Sequence, residues 1–224
     1  MTRSTVKQNN ESVNRQYRSP LRAEQALLTR RRIRQAADEL FLRDGYAATS
    51  MAAISEAAGV SRLTVFNVFG SKVELLREVA DVRLAGDDEP LDVFSRPLGR
   101  RMLAATAPSE VVRIHARLTG EIMQRVGPIL NVVADAAATD PEAAALHATH
   151  DEGRLFGMRA TVDHLAELGA LRPGLTAERA AESLWLLSGP EAWNLAQRRK
   201  WPLRRYIDWY HRCARAVLLE ETPV

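Results

Sequence analysis

The chain has 224 residues, 46% of them hydrophobic and 26% charged, with a net charge of +3. That length holds one large domain or two small ones, and that balance excludes a fibrous or largely disordered protein. No run of about 18 or more apolar residues occurs and the N-terminus lacks an apolar leader core, so we expect no membrane span and a cytoplasmic protein. The single cysteine, Cys213, rules out an intramolecular disulfide and falls in the helical pattern Tyr206, Tyr210, Cys213, Val217, where packing is its expected role.

The charge is polarised. Residues 1–34 carry nine basic and two acidic side chains, a local charge of +7, which leaves −4 for the rest. Such an end suits contact with a polyanion, because each phosphate neutralised also releases counterions; a merely solvated tail is the other reading. Residues 1–20 lack periodic apolar residues and are predicted to be a disordered basic arm. From Leu21 onward the spacing is helical and no alternating β-branched run argues for a sheet, so the predicted fold is all-α with about nine helices.

A first helix is predicted over residues 22–43, burying Leu28, Ile33, Ala36, Ala37, Leu40 and Phe41, with Arg30, Arg31 and Arg34 mostly outside and Gly45 as its stop. Thr49 or Ser50 caps a short helix over 51–58, and Ser61 caps another over 62–69. Ser71 and Glu74 form a capping box that opens a fourth helix through about Leu84, and the Gly86–Pro90 segment ends it. This places domain limits at 21–86 and 87–224. Beyond, proline and glycine signals bound helical stretches near 91–105, 109–138, 141–169, 176–199 and 202–220. Gly127-Pro128 and Gly189-Pro190 each lie inside one of these and are expected to kink or divide it.

The stretch from Thr49 to Phe69 carries the function. Two helices too short to be stable alone need mutual packing, which Ala53, Ile54, Ala57, Val60, Val65 and Phe69 supply. Gly59 sits where the chain turns sharply, with an expected positive φ, and Val60 plugs the corner. This is the layout of a helix-turn-helix, whose second helix enters the major groove. That helix presents Arg62, Leu63, Thr64, Phe66 and Asn67 on its outer side. Arg62 suits guanine, Asn67 suits adenine or a phosphate, and Leu63 and Phe66 suit thymine methyls. Thr49, Ser50, Ser61 and Lys72 stand at helix N-termini and suit phosphates, although the hydroxyls also serve as plain caps.

Tyr46 in Asp-Gly-Tyr, the Ala-Ala-Gly-Val-Ser turn, Thr64, Phe69 and Ser-Lys72 followed by Glu-Leu-Leu76 resemble the TetR family of regulators over residues 26–86. The family's usual run after the turn is similar to S-x-G-T-x-Y-x-H-F. Here Leu63 stands for the glycine, Phe66 for the tyrosine and Val68 for the histidine, so phosphate contacts of the last two do not carry over. The resemblance implies an N-terminal three-helix DNA-binding domain followed by a larger helical ligand-binding and dimerisation domain. Its implied partners are double-stranded operator DNA, a second copy of the chain as a homodimer, and a small-molecule inducer; it implies no cofactor, metal or membrane. For the dimer interface it points to the last two helices, with Leu184, Trp185, Ser188, Ala192, Tyr206, Trp209, Tyr210, Cys213 and Val217; the same aromatic stripe also fits intrachain core. For an inducer pocket it points to Leu118, Ile122, Met123, Val126, Leu130 and Phe156, with His115, Asn131, His150 or Arg159 as polar anchors.

Other classes are less well supported. No G-x-S-x-G, H-E-x-x-H, phosphate-binding or dinucleotide fingerprint occurs, so no enzyme is expected. His147 and His150, three apart with Asp151 beside them, are a weak metal signal, and no metal is assigned. The alternatives are a sequence-independent DNA binder and a helical interaction protein uncoupled from DNA.

Overall fold

A computed structural model describes residues 22–89 and 92–219 of the chain. Among these residues there are ten helices and no strand: α1 (Thr5–Ala48, described from Arg22), α2 (Met51–Ala57), α3 (Arg62–Phe69), α4 (Lys72–Ala85), α5 (Pro97–Leu103), α6 (Pro108–Ala137), α7 (Pro141–Glu167), α8 (Ala177–Leu187), α9 (Pro190–Arg198) and α10 (Leu203–Leu218). The basic arm expected over residues 1–20 lies outside the described residues. The chain divides into two compact units, Met1–Leu75 and Leu76–Val224, with the division inside α4.

In the first unit Ile33, Ala37 and Phe41 are fully buried and Ala36 and Leu40 nearly so, one stripe at helical spacing along α1. Leu28 departs from expectation. It is 51% exposed, because the inward face of α1 begins only a turn later, at Ile33. Gly45 takes φ +80° and ψ 168°, which interrupts the helical path and sends Tyr46 back to stack on Phe41 with ring centroids 5.9 Å apart. The chain therefore bends at Gly45 and completes a further turn to Ala48, where a simple stop was expected.

Ser50 caps α2 by accepting from the Ala53 amide, and Ser61 caps α3 by accepting from the Thr64 amide. Between them Gly59 adopts φ +63°, and the Val60 amide returns to the Ser55 carbonyl at 3.0 Å, closing the turn. Ile54, Val65, Phe69 and Ala58 are buried beneath it. Ala57, expected in this core, is exposed. Ala58 takes its place because it lies one full turn after Ile54 on the same side of the helix.

The second unit is organised on α6, which packs against α5, α7, α9 and α10. Its core gathers Met102, Val112, Ile114, Val162, Leu165 and Leu184 together with Tyr210 and Leu218 of α10. Gly189-Pro190 divides the expected 176–199 helix, with Gly189 as the N-cap of α9 and Pro190 in its first turn. Gly127-Pro128 does not divide α6, which runs unbroken through Pro128. Gly127 is needed for contact instead: a Cβ there would stand 2.7 Å from Cδ1 and Nε1 of the buried Trp193 ring. Of the stretch expected over 91–105, only Pro97–Leu103 is helical. Ahead of it Asp92 holds a turn by accepting from the Phe94 and Ser95 amides at 2.8 and 3.0 Å.

Candidate functional site

The outer face of α3 carries Arg62, Leu63, Phe66 and Asn67, all exposed, while Val65 and Phe69 anchor its inner face. Leu63 is 69% exposed and Phe66 46%, an unusual display for two large apolar side chains. Thr64 is half-buried, its hydroxyl 2.8 Å from that of Ser61 at the cap. Ser50 and Ser61 stay exposed at the starts of α2 and α3, so cap and surface roles coexist there.

Two sites expected to meet phosphates are committed inside the fold. Thr49 is 2% exposed and its hydroxyl donates to the Gly45 carbonyl at 2.7 Å, which withdraws the side chain from the surface. Lys72 donates from Nζ to the carbonyls of Tyr46 and Thr49 at 2.8 and 3.1 Å and lies 3.9 Å from the centre of the Tyr46 ring. Its ammonium fastens the start of α4 to the bend after α1, combining charge-assisted hydrogen bonds with a cation–π contact.

Two arginines of α1 perform work the sequence did not reveal. Arg32 Nη2 donates to the Ala58 carbonyl at 2.5 Å, at the C-terminal end of α2. Arg30 donates to the Val68 carbonyl at 3.2 Å and stacks over Phe69 at 4.7 Å. Both serve carbonyls at the ends of short helices, which have no intrahelical donor. The available signal was this demand for donors beside a helix rich in arginine.

The second unit encloses a cavity of about 360 Å³. Of the expected lining, His115, Leu118, Ile122, Met123, Val126, Leu130 and Phe156 border it, as does His150. Ala80 and Leu84 of α4 and Arg154 and Asp151 of α7 complete its wall. Two expected anchors lie elsewhere. Asn131 exchanges amide hydrogen bonds with Asn194 at 3.1 and 2.7 Å, tying α6 to α9, and Arg159 is exposed and does not border the cavity.

In the cavity wall His115 is buried, with Nε2 3.0 Å from the Tyr210 hydroxyl and Nδ1 3.0 Å from the Thr161 hydroxyl. Burial pushes its pKa down to about 4, so the ring is neutral near pH 7. Burial likewise pushes the Tyr210 and Tyr206 phenols up. Also in the wall, Arg154 donates to Asp151 at 2.6 Å and to the Trp185 carbonyl. His150 lies 3.2 Å from Asp81, and no group of three or more metal-ligating side chains occurs among the described residues.

The expected dimer residues separate into two sets. Leu184, Ser188, Tyr206 and Tyr210 are at most 1% exposed within a single chain, so they are core and have no surface to offer a partner. Tyr206 packs edge-on against Trp193 at 4.9 Å and beside Tyr210 at 6.4 Å. Trp185, Ala192, Trp209, Cys213 and Val217 are half-buried. Nearby in sequence, Leu186 and Leu195 are large apolar side chains left in solvent.

Among the described residues no helix is long and apolar enough to cross a membrane. Residues 33–79 match the family model for bacterial regulatory proteins of the tetR family. No curated protein matches the chain. Among solved structures, the fold is similar to NalD of Pseudomonas aeruginosa, the secondary repressor of the MexAB-OprM multidrug efflux pump, at 22% identity and TM-score 0.67, covering 88% of this chain and 100% of that one. It is similar to SmeT in complex with triclosan at 21% identity and TM-score 0.67, over 87% and 93% of the two chains. The fatty acid degradation regulator FadR of Bacillus halodurans is similar at 18% identity and TM-score 0.64, over 83% and 93%.

Proposed function

We propose that this chain, whose residues 33–79 match the family model for bacterial regulatory proteins of the tetR family, is a repressor that binds a palindromic operator as a homodimer and is released by a small-molecule inducer. The observation that carries the DNA-binding part is the outer face of α3, where Arg62, Leu63, Phe66 and Asn67 stand exposed on a helix fixed from behind by Val65 and Phe69. A rigid helix with a guanidinium, an amide and two apolar tips matches the mixture of acceptors, donors and methyl groups along a major-groove edge. Ser50 and Ser61, at the starts of α2 and α3, are the phosphate-facing positions in this reading. The basic residues before α1's described part add sequence-independent affinity.

The cavity supports the inducer part. Ala80 and Leu84 in its wall belong to α4, the helix whose first residue, Lys72, is fastened to Tyr46 and Thr49. A ligand that alters the cavity wall therefore acts on the helix that leads back to the DNA-binding unit. The similar proteins fit: NalD is a repressor, and SmeT holds triclosan. Leu186 and Leu195, together with the half-buried Trp185 and Trp209, are the surface we assign to the dimer contact.

Titration of labelled duplexes tests the reading. A duplex carrying the preferred inverted repeat should bind at least about a thousandfold more tightly than a scrambled duplex at physiological salt. Equal affinity for both would leave a sequence-independent binder.

A further inference from the structure

The cavity's own chemistry restricts what it can hold, and this inference rests on reading the cavity as the effector site. Its lining is mostly apolar, with Leu118, Ile122, Met123 and Val126 of α6 and, largely exposed to solvent, Phe156 of α7. The acids Asp92 and Asp151 and the arginine Arg154 bordering it are already matched, whereas His150 Nδ1 is buried without a hydrogen-bond partner and His147 also lines the wall. Arg154 is held by Asp151 at 2.6 Å, and Asp151 also accepts from the Trp185 indole at 3.1 Å. His150 faces Asp81 at 3.2 Å, and Asp92 is occupied by the amides of Phe94 and Ser95 and by the Ser95 hydroxyl. A charged ligand would have to break one of these arrangements and strand the abandoned partner, or else lie unpaired against hydrocarbon; either is costly.

The groups around His115 offer hydrogen bonds from uncharged side chains. Thr161, His115 and Tyr210 form a buried chain, Thr161 Oγ1 to His115 Nδ1 and His115 Nε2 to Tyr210 Oη at 3.0 Å each, with Thr119 Oγ1 3.5 Å from the same Nε2. Hydroxyls stand on both sides of a neutral imidazole that has two tautomers, so the chain can run in either direction. His115 spends both ring nitrogens in this chain, while Thr119 borders the cavity beside it with a hydroxyl that can present a donor or an acceptor.

We propose that the effector is an uncharged, largely apolar molecule carrying a single hydroxyl or carbonyl group, which meets the Thr119 hydroxyl while its hydrocarbon lies along α6. Carboxylates and ammonium compounds of the same size are disfavoured, because the bordering acids and the arginine are already matched and the rest of the lining is mostly apolar.

Calorimetry of the full chain without DNA tests this with three probes that share one ring system: naphthylmethanol, naphthoate and naphthylmethylammonium. The alcohol should bind once per chain and at least about tenfold more tightly than either ion. Val126→Trp, which fills the cavity, should abolish that binding while circular dichroism shows the helices intact. Thr119→Val should weaken the alcohol about three- to tenfold and leave methylnaphthalene, which has no hydroxyl, unaffected. Equal or tighter binding of either ion, no binding of the alcohol, or alcohol binding that survives Val126→Trp would overturn the proposal. If the alcohol binds as described and operator DNA is not released, the ligand class stands and the inducer reading fails.

Discussion

Arg83 and Arg125 each donate to the other's backbone carbonyl. Arg83 Nη1 reaches the Arg125 oxygen at 2.8 Å, and Arg125 Nε reaches the Arg83 oxygen at 3.2 Å, with Nη2 on the Leu84 oxygen at 3.3 Å. The last carbonyls of α4 lack intrahelical donors, and Arg125 supplies them from the middle of α6. The pair therefore clasps the end of α4 to the helix that lines the cavity. Burial lowers the Arg125 pKa, but the group stays protonated at any working pH.

Arg125→Ala should destabilise the second unit by about 1–2 kcal/mol, because the last carbonyls of α4, which have no intrahelical donor, lose charged donors. Arg125→Lys should recover little of it, since one ammonium cannot reproduce the two-carbonyl fork. Urea denaturation of the three proteins, followed by circular dichroism, measures both effects; full recovery in the lysine variant would show that charge alone matters.

Lys72 separates a structural role from a DNA-contact role. Lys72→Ala should cost about 1–2 kcal/mol of stability through the two lost hydrogen bonds and the lost contact with Tyr46. The salt dependence of DNA binding by the folded fraction should be unchanged. A shallower salt slope with unaltered stability would return Lys72 to the phosphate backbone.

Arg62 is the base-reading candidate. Arg62→Ala should weaken operator binding by about 1–3 kcal/mol and relax preference at one base pair in each half-site. Binding to a panel of single-substituted operators reads this directly. An equal loss on operator and random duplex would make Arg62 a backbone contact.

His115 gives the stability a pH dependence. An unperturbed histidine titrates near 6.5 and the buried ring near 4, so the unfolded chain binds the extra proton first as pH falls. Stability is fully present above pH 6.5, declines through the interval down to about 4 and changes no further from this group below it. His211 shifts in the same direction, through burial and the nearby Arg215 and Arg113. The slope that disappears in His115→Phe, measured as the melting temperature across this interval, isolates the His115 share; identical slopes in both proteins would contradict a neutral buried ring.

What could be read from the sequence follows from which interactions are local. The cap hydroxyls of Ser50 and Ser61, the positive φ of Gly59 and the outward phase of Arg62, Phe66 and Asn67 are set within a few residues, and periodicity reveals them. Thr49 and Lys72 were assigned outward because helix N-termini attract anions, yet Lys72 meets carbonyl oxygens from 26 and 23 residues earlier. No local pattern carries that proximity. The apolar side of α6 was recognisable as a possible cavity wall, whereas Asn131 turns to Asn194 only because α9 packs beside it. The aromatic stripe of α10 marked burial without saying against what, and the fold spends Tyr206 and Tyr210 inside the chain.

The central claim is sequence-specific recognition by two copies of α3. Selection from a random duplex pool at physiological salt, followed by sequencing, tests it most directly. Two-fold symmetric binding predicts an enriched inverted repeat whose half-sites are centred about one or more helical turns apart. Enrichment of no motif, or of a single unrepeated half-site, would contradict it.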